Sequence, residues 1–287
     1  MDYRKLMVVV GSATSSEPAI DTALAVARKF DCHIEALHVR ADPRQAIPYM
    51  GEGMSGAMVD DILRVAEKEA ADRAAKGRAL FDEKCRAAGI EIVESAPASG
   101  KVTARWYEVT GREEELVARH GRVADLVVAA RQAEGVEMPS TAVLEAALLE
   151  TGRALLLAPP TLPAEIGGVA AIAWLGSVEA ARAVEAALPF LARAKDVHVI
   201  AWGEQDSISS AQELQSYLAL HDIESRVTTM EDMGADVGEP LIAECKGVGA
   251  DLLVMGGYTR SRLRQMILGG TTNHILHNAD IPVLMAH

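Results

Sequence analysis

The chain contains an internal repeat, and this repeat restricts its possible folds more than any other feature. An apolar run that ends in Gly-Ser occurs at 6–12 (LMVVVGS) and again at 170–177 (AAIAWLGS). After a shift of 165 positions, ARKFDCHIEA at 27–36 lies over ARAKDVHVIA at 192–201 without a gap. This self-similarity predicts one folding unit that is used twice.

Two later segments repeat in the same order. ADLVVAA (124–130) resembles ADLLVMG (250–256), and the halves close with RALLLAP (153–159) and IPVLMAH (281–287). We expect the closing strands to bring the halves together as a pseudo-dimer, as two separate subunits would pack. A further homodimer of the whole chain is left open.

A Pro-rich segment separates the two halves. Residues 158–168 (APPTLPAEIGG) have the composition of a linker. We therefore predict two domains, at 1–160 and 165–287. This division suits a chain of 287 residues.

Apolar strands alternate with amphipathic helices in each half. In the second half we predict strands at about 168–175, 196–202, 223–229, 250–256 and 281–286, and helices at about 178–194, 207–221, 236–248 and 271–279. The alternation favours parallel strands joined by crossover helices. The predicted fold class is α/β, with two tandem open, doubly wound five-stranded parallel sheets.

The first half differs from the second in its middle. Its third strand is predicted at about 102–109. Residues 40–57 are rich in Gly, Pro and Met and indicate a loop insertion, and a long helix at roughly 58–88 follows it. Gly89 is a suitable residue to end that helix.

Composition excludes several classes of protein. The formal net charge of −13 argues against general nucleic-acid binding. The cysteines are three, widely spaced and without a CxxC pair, so we expect free buried thiols: Cys32, Cys85 and Cys245. Neither a signal peptide nor a membrane span is indicated, and we expect a cytoplasmic protein.

Two glycine pairs near the end of the chain are candidates for ligand binding. Gly256 and Gly257 follow the fourth strand of the second half directly, and Gly269 and Gly270 precede its last helix. Ligands of open parallel sheets bind at the carboxyl ends of the strands. Glycine there lets a ligand approach the backbone amides, although the same pairs also suit ordinary strand-to-helix turns.

The residues around these glycines favour an anion. Thr271 or Thr272 is expected to cap the last helix, whose free N–H groups attract negative charge. Arg260, Arg262 and Arg264 lie between the glycine pairs. Together these groups predict a phosphate site, which is neither a Walker A loop nor a Rossmann fingerprint.

These residues resemble the universal stress protein family. Its nucleotide-binding members carry Gly-x2-Gly-x9-Gly-[Ser/Thr] after the fourth strand, where this chain has Gly256, Thr259, Gly269 and Gly270. The segments ILHNADIPVLMAH and LGSVEAARAVEAALPFLARAKDVHVIAW are also similar to the family. The resemblance implies an adenine-nucleotide alpha-hydrolase-like fold and, as ligand, ATP or another adenine nucleotide with Mg.

Several departures weaken the implied site. Relatives that bind nucleotide usually end the first strand with an Asp, where the second half has Leu175. Thr259 replaces a glycine, and Gly270 lacks the expected hydroxyl. After its fourth strand the first half has a single glycine, Gly135, and we expect no phosphate there.

Catalytic and metal sites are not indicated. His274 and His277 share a helix face but lack a third ligand at matching spacing. His33 and His198 are predicted to occupy the same place in the two halves, which fits a role in the fold. We expect no metal and, on balance, no enzyme.

Three functions stay open. The first is a stress-response regulator that binds nucleotide at Gly256, Gly257, Arg260, Gly269, Gly270, Thr271 and Thr272. The second is a scaffold that acts through protein partners without a nucleotide. The third, weaker, is a slow ATPase or other hydrolase.

Overall fold

The computed structural model describes residues 2–11, 13–43, 56–96, 101–131, 139–202, 205–230, 237–258 and 270–287. In these ranges strands and helices alternate through both halves, as predicted. None of the helices described is at once long and apolar enough to cross a membrane.

The described part of the first half holds six strands and four helices. They are β1 (Lys5–Val9), α1 (Ala13–Phe30), β2 (His33–Arg40), α2 (Gly56–Ala88), β3 (Glu91–Ile92), β4 (Thr103–Thr110), α3 (Glu113–Gly121), β5 (Leu126–Ala130), α4 (Thr141–Leu149) and β6 (Ala154–Ala158). The long helix α2 confirms its prediction, and Gly89 follows it with a φ of +66°. The two-residue strand β3 was not expected.

The second half follows its predicted pattern to within three residues at each limit. Its elements are β7 (Val169–Trp174), α5 (Val178–Leu191), β8 (Asp196–Ala201), α6 (Gln205–Ala219), β9 (Arg226–Thr229), α7 (Gly238–Gly247), β10 (Leu252–Gly256), α8 (Thr271–Asn278) and β11 (Val283–Ala286). The predicted insertion at 40–57 lies mostly outside the described residues. The domain limits at 160 and 165 stay predictions.

The described strands form one continuous sheet in the order β3-β4-β2-β1-β5-β6-β11-β10-β7-β8-β9. Neighbours within each half are parallel, and β6 pairs with β11 in the antiparallel direction. At this junction Leu156 lies opposite Leu284. The prediction that the closing strands join the halves is therefore confirmed.

Helices cover both faces of the sheet and enclose two apolar cores. One core contains residues of α1, α2, α5 and α6, and the other contains residues of α3, α4, α7 and α8. Each core runs across the β6–β11 junction from one half into the other. Strands that are buried on both faces read as continuous apolar runs, which is why the sequence shows them so clearly.

An aromatic cluster fixes the contact between the halves on one face. The rings of Phe30 in α1 and Phe190 in α5 meet edge to face with centroids 4.8 Å apart, and Tyr3 lies 5.0 Å from Phe30. The Tyr3 hydroxyl donates to the Ala186 carbonyl of α5. Arg193 lies over the Phe30 ring at 4.7 Å and also pairs with Asp2. Both packing and charge therefore hold α1 against α5.

The sheet register corrects one expectation about the repeat. His33 lies opposite Lys5, the first residue of β1. His198 lies opposite Ala171, the third residue of β7, and β8 begins at Asp196. The prediction that both histidines occupy the same place is wrong by two residues along the strand. A gapless shift hides small differences in loop length between the halves.

The three cysteines are confirmed as free and buried. Burial raises the pKa of Cys32, Cys85 and Cys245 to about 12 each. A thiol with so high a pKa is a poor nucleophile at neutral pH.

A buried polar cluster lies on the α3 face of the first half. His33 is 6% exposed, and its Nδ1 bonds to the Thr103 hydroxyl at 2.9 Å. Its Nε2 is buried, with no hydrogen-bond partner among the described residues. Nearby, Glu35 pairs with Lys5 at 2.8 Å and with Arg105 at 3.6 Å. Burial lowers the pKa of His33, and the two cations lower it further against the opposing effect of Glu35.

Removal of the Phe190 ring should test the contact between the halves. Phe190→Ala is expected to lower the free energy of unfolding by about 3–5 kcal/mol, because it deletes a fully buried ring at the centre of the aromatic cluster. Urea denaturation measures the change. The control is Tyr217→Ala on α6, which removes a ring that is 41% exposed. Equal small losses in both variants would contradict the proposed importance of the cluster.

The charge state of His33 should make stability depend on pH. Because its folded-state pKa is lowered, the stabilisation is complete above the ordinary histidine pKa of about 6.5 and is lost as pH falls through and below that value. His33→Gln should flatten this loss between about pH 7 and pH 5. Urea denaturation at a series of pH values measures it, with His277→Gln on α8 as the control. An unchanged slope in His33→Gln would contradict the assignment.

Candidate functional site

The first glycine pair lies at the carboxyl end of β10, as predicted. The Gly257 N–H donates to the Ala286 carbonyl at 2.8 Å and extends the pairing with β11 by one residue. The Gly257 carbonyl accepts a hydrogen bond from Nδ1 of His287 at 3.0 Å. Both backbone groups of Gly257 are therefore engaged within the protein.

Close packing explains why both residues are glycine. A Cβ at Gly256 would lie 2.7 Å from the Ala180 nitrogen, at the start of α5. A Cβ at Gly257 would lie 2.8 Å from a methyl group of Leu148, which belongs to α4 of the first half. The fold thus disfavours a side chain at Gly256 whether or not a ligand binds, whereas at Gly257 the end of the Leu148 side chain of the first half would have to move.

Thr272 connects the last helix to the end of β10. Its hydroxyl oxygen accepts a hydrogen bond from the Tyr258 N–H at 3.2 Å, and the side chain is 7% exposed. Tyr258 has a φ of +55°, which is uncommon for a residue with a side chain. This contact fixes the first turn of α8 beside the strand end.

The expected threonine cap of the last helix is wrong. The N-cap residue of α8 is Gly270, with Thr271 and Thr272 as its first two helical residues. Glycine has no side chain that accepts from the free N–H groups of the first turn. In the first half the matching helix α4 is capped by Ser140, whose hydroxyl accepts from the Val143 N–H at 3.3 Å. Among the described residues, no side chain therefore caps the start of α8, whereas Ser140 caps one N–H of α4.

The structure brings together only part of the predicted site. Five of the predicted residues lie at the carboxyl end of β10 and the start of α8: Gly256, Gly257, Gly270, Thr271 and Thr272. Arg260 and Gly269 fall outside the described residues, as do Thr259, Arg262 and Arg264.

The end of the first strand in the second half is apolar. Leu175, at the place where relatives carry an Asp, is 40% exposed. Trp174 before it is buried, and its indole N–H donates to the Ser210 hydroxyl at 2.9 Å. Gly176 has a φ of +68°, and a Cβ there would lie 2.9 Å from the same hydroxyl. No carboxylate in this stretch of β7 is therefore placed to bind a nucleoside.

In the first half, protein side chains fill the corresponding edge. His38 stacks on Trp106 with centroids 5.5 Å apart, and its Nδ1 bonds to the Val10 carbonyl at 2.8 Å. Burial lowers the pKa of His38. A Cβ at Gly77 of α2 would lie 3.3 Å from Trp106 and 3.6 Å from the Gly11 carbonyl. Helix α2 thus packs directly onto the end of β1.

The first half also lacks a glycine directly after β5, the strand that corresponds to β10. The Arg131 N–H donates to the Ala158 carbonyl at 2.9 Å, the same contact that Gly257 makes with Ala286. Arg131 therefore takes the position of Gly257. The alignment of ADLVVAA (124–130) with ADLLVMG (250–256) gives the same pairing.

A methyl group at Gly256 should test the packing explanation. Gly256→Ala is expected to cost about 1–3 kcal/mol, because the neighbouring atoms belong to the backbone of α5 and cannot rotate away. Gly247→Ala, where nothing lies within 4 Å, should be neutral or stabilise by up to about 1 kcal/mol. Urea denaturation of both variants measures the difference. Similar values would show that α5 yields easily at this point.

Comparison with known proteins identifies one family that resembles part of this chain. Residues 169–287 match the model of the universal stress protein family. A universal stress protein of Mycobacterium tuberculosis is 30% identical over 95 residues, which is 33% of this chain and 32% of that protein. The chain thus matches about a third of this relative's length.

Solved structures of similar fold cover nearly the whole chain. A universal stress protein from Archaeoglobus fulgidus has a TM-score of 0.72 at 15% identity and covers 98% of this chain and 97% of its own. A Pseudomonas aeruginosa protein that carries the same family name has a TM-score of 0.53 at 14% identity, with 98% and 92% coverage. Identities this low show the fold alone. The second half of the chain therefore matches the universal stress protein family, and the fold of that family extends over nearly the whole chain.

Proposed function

We propose that the protein is a stress-response regulator whose second half binds an adenine nucleotide such as ATP with Mg. The observation that carries this proposal is the start of α8, which Gly270 leaves without a capping side chain. The phosphates would be held there, beside the end of β10. The first half would serve as support and not as a second nucleotide site.

Backbone donors supply the attraction in this proposal. A helix N-terminus offers unpaired N–H groups and the positive end of the helix dipole, and both favour a phosphate. The Tyr258–Thr272 hydrogen bond holds these donors beside the end of β10. Donors that the fold already holds in place need little further ordering when a ligand binds.

Leu175 should weaken the binding of the nucleoside. A ribose hydroxyl left without its acceptor costs about 1–3 kcal/mol, which corresponds to about a 5- to 150-fold loss of affinity. We therefore expect a nucleotide affinity lower than that of relatives with an Asp at this position. Weak binding would suit a protein that responds to changes in nucleotide level.

A second candidate function has its own support. Leu175 and Val178 are 40% and 62% exposed and lie together at the carboxyl edge of the second half. Exposed apolar residues that lie next to each other at an edge of a sheet are typical of contacts with other proteins. A scaffold that recruits a protein partner at this edge would need no nucleotide.

Isothermal titration with ATP and Mg should distinguish the two functions. Gly270→Glu is expected to abolish binding, because its carboxylate repels phosphate and occupies the start of α8. Leu175→Asp should tighten binding by about tenfold, because it restores an acceptor for the ribose. Leu220→Asp, at a residue 84% exposed in the turn after α6, is the matched control.

The regulator and the scaffold predict different results in this titration. Binding by the wild type that Gly270→Glu removes and Leu220→Asp leaves unchanged would support the regulator. A folded wild-type protein that binds no ATP, and that Leu175→Asp does not rescue, would contradict the nucleotide proposal and favour the scaffold.

A further inference from the structure

A cleft of about 570 Å³ lies at the seam between the two halves, away from the start of α8. We call it the seam cleft. Residues at the starts of β1, β5 and β6 form one side, and α5 with the end of β11 forms the other. They are Asp2, Tyr3, Asp125, Gly152, Arg153, Ala154, Arg182, Glu185, Ala186, Leu188, Pro189, Ala286 and His287. Its volume is in the range of small-molecule sites.

Two of the three carboxylates in the seam cleft already have partners. Asp125 accepts hydrogen bonds from the backbone N–H groups of Arg4 and Lys5 at 2.7 and 2.9 Å. Asp2 forms a two-pronged ion pair with Arg193, which lowers the pKa of Asp2. These acids stabilise the fold and are not free to repel an anion with full effect.

The cationic groups of the cleft keep donors that these hydrogen bonds do not involve. Arg153 is held in place by hydrogen bonds from Nε and Nη2 to the Arg122 carbonyl at 3.3 and 3.1 Å, which leaves Nη1. His287 uses Nδ1 on the Gly257 carbonyl, which leaves Nε2. Arg182 is exposed on α5. An apolar wall of Leu188 and Pro189 completes the cleft.

His287 contributes both to the seam cleft and to the end of β10. Its ring lines the seam cleft, and its Nδ1 donates to the carbonyl of Gly257 in the loop that ends β10. A ligand that draws the imidazole towards the cleft would therefore disturb the Gly257 contact. The first half contributes Arg153 to the cleft and Leu148 to the floor under Gly257, so both places depend on it.

We propose that the seam cleft binds a small molecule with a carboxylate or phosphate group, held by Arg153, Arg182 and His287. Through its hydrogen bond to Gly257, His287 then transmits the binding of this molecule to the loop after β10. The binding of this molecule to the seam cleft does not depend on the proposed nucleotide site. The coupling step rests on the proposed nucleotide site, because it needs a nucleotide whose affinity can change.

The binding step is tested with two probes, succinate and inorganic phosphate, in the full chain. Gly270→Glu is used as the background, so that phosphate at the start of α8 does not contribute. The NMR signals of the His287 imidazole, identified by their loss in His287→Gln, report on the cleft directly. Saturable shifts with either probe are expected, and the stronger probe identifies the preferred anion.

Arg182 supplies the decisive variant. Arg182→Gln should weaken the probe by about tenfold, the loss expected for one charge-assisted hydrogen bond. Arg226→Gln removes an exposed arginine of β9, the outermost strand of the sheet and four strands away from β11, and it should leave the affinity unchanged. Absence of a saturable His287 shift, or equal affinity in both variants, would overturn the binding step.

Coupling is then measured in the wild type. The affinity for ATP should change at least about threefold when succinate saturates the cleft, and this change should vanish in His287→Gln. An unchanged ATP affinity would overturn the coupling step alone. A wild type that binds succinate but no ATP would contradict the proposed function while it leaves the cleft assignment intact.

Discussion

The antiparallel pairing of β6 with β11 determines the arrangement of everything else in the molecule. It joins two parallel sheets into one and carries both apolar cores across the junction. Because the direction of the strands reverses there, the carboxyl edges of the two halves face opposite ways. The same pairing sets Leu148 against Gly257 and opens the seam cleft, so neither place exists in one half alone.

Within this common frame the two halves differ where a ligand would bind. At the start of the last helix, Ser140 accepts from the Val143 N–H in the first half, whereas the N-cap of the second half, Gly270, has no side chain to do so. After the fourth strand, Arg131 stands where the second half has Gly257. A stacked His38–Trp106 pair and the close approach of α2 lie beside the carboxyl end of β1.

Much of the fold was accessible from the sequence, because buried parallel strands are continuous apolar runs and the repeat shows them twice. The element limits and the β6–β11 contact followed from this pattern. Local sequence cannot say which residue becomes an N-cap, and Gly270 took the role expected of Thr271 or Thr272. The register of β8 and the short strand β3 depend on packing between distant segments. The seam cleft combines residues from both halves, so no motif marks it.

The glycines that carry the family resemblance are weaker support for a ligand than they first suggest. The backbone of α5 leaves no room for a side chain at Gly256, and Leu148 of α4 crowds Gly257, and both contacts hold without a ligand. Gly270 has a different position, because it is the N-cap of α8, where Ser140 caps the matching helix α4. An N-cap hydroxyl contributes about 0.5–2 kcal/mol relative to alanine but only a few tenths relative to glycine. The fold thus gives up little stability at Gly270, and it gains a set of backbone donors that an external anion can use.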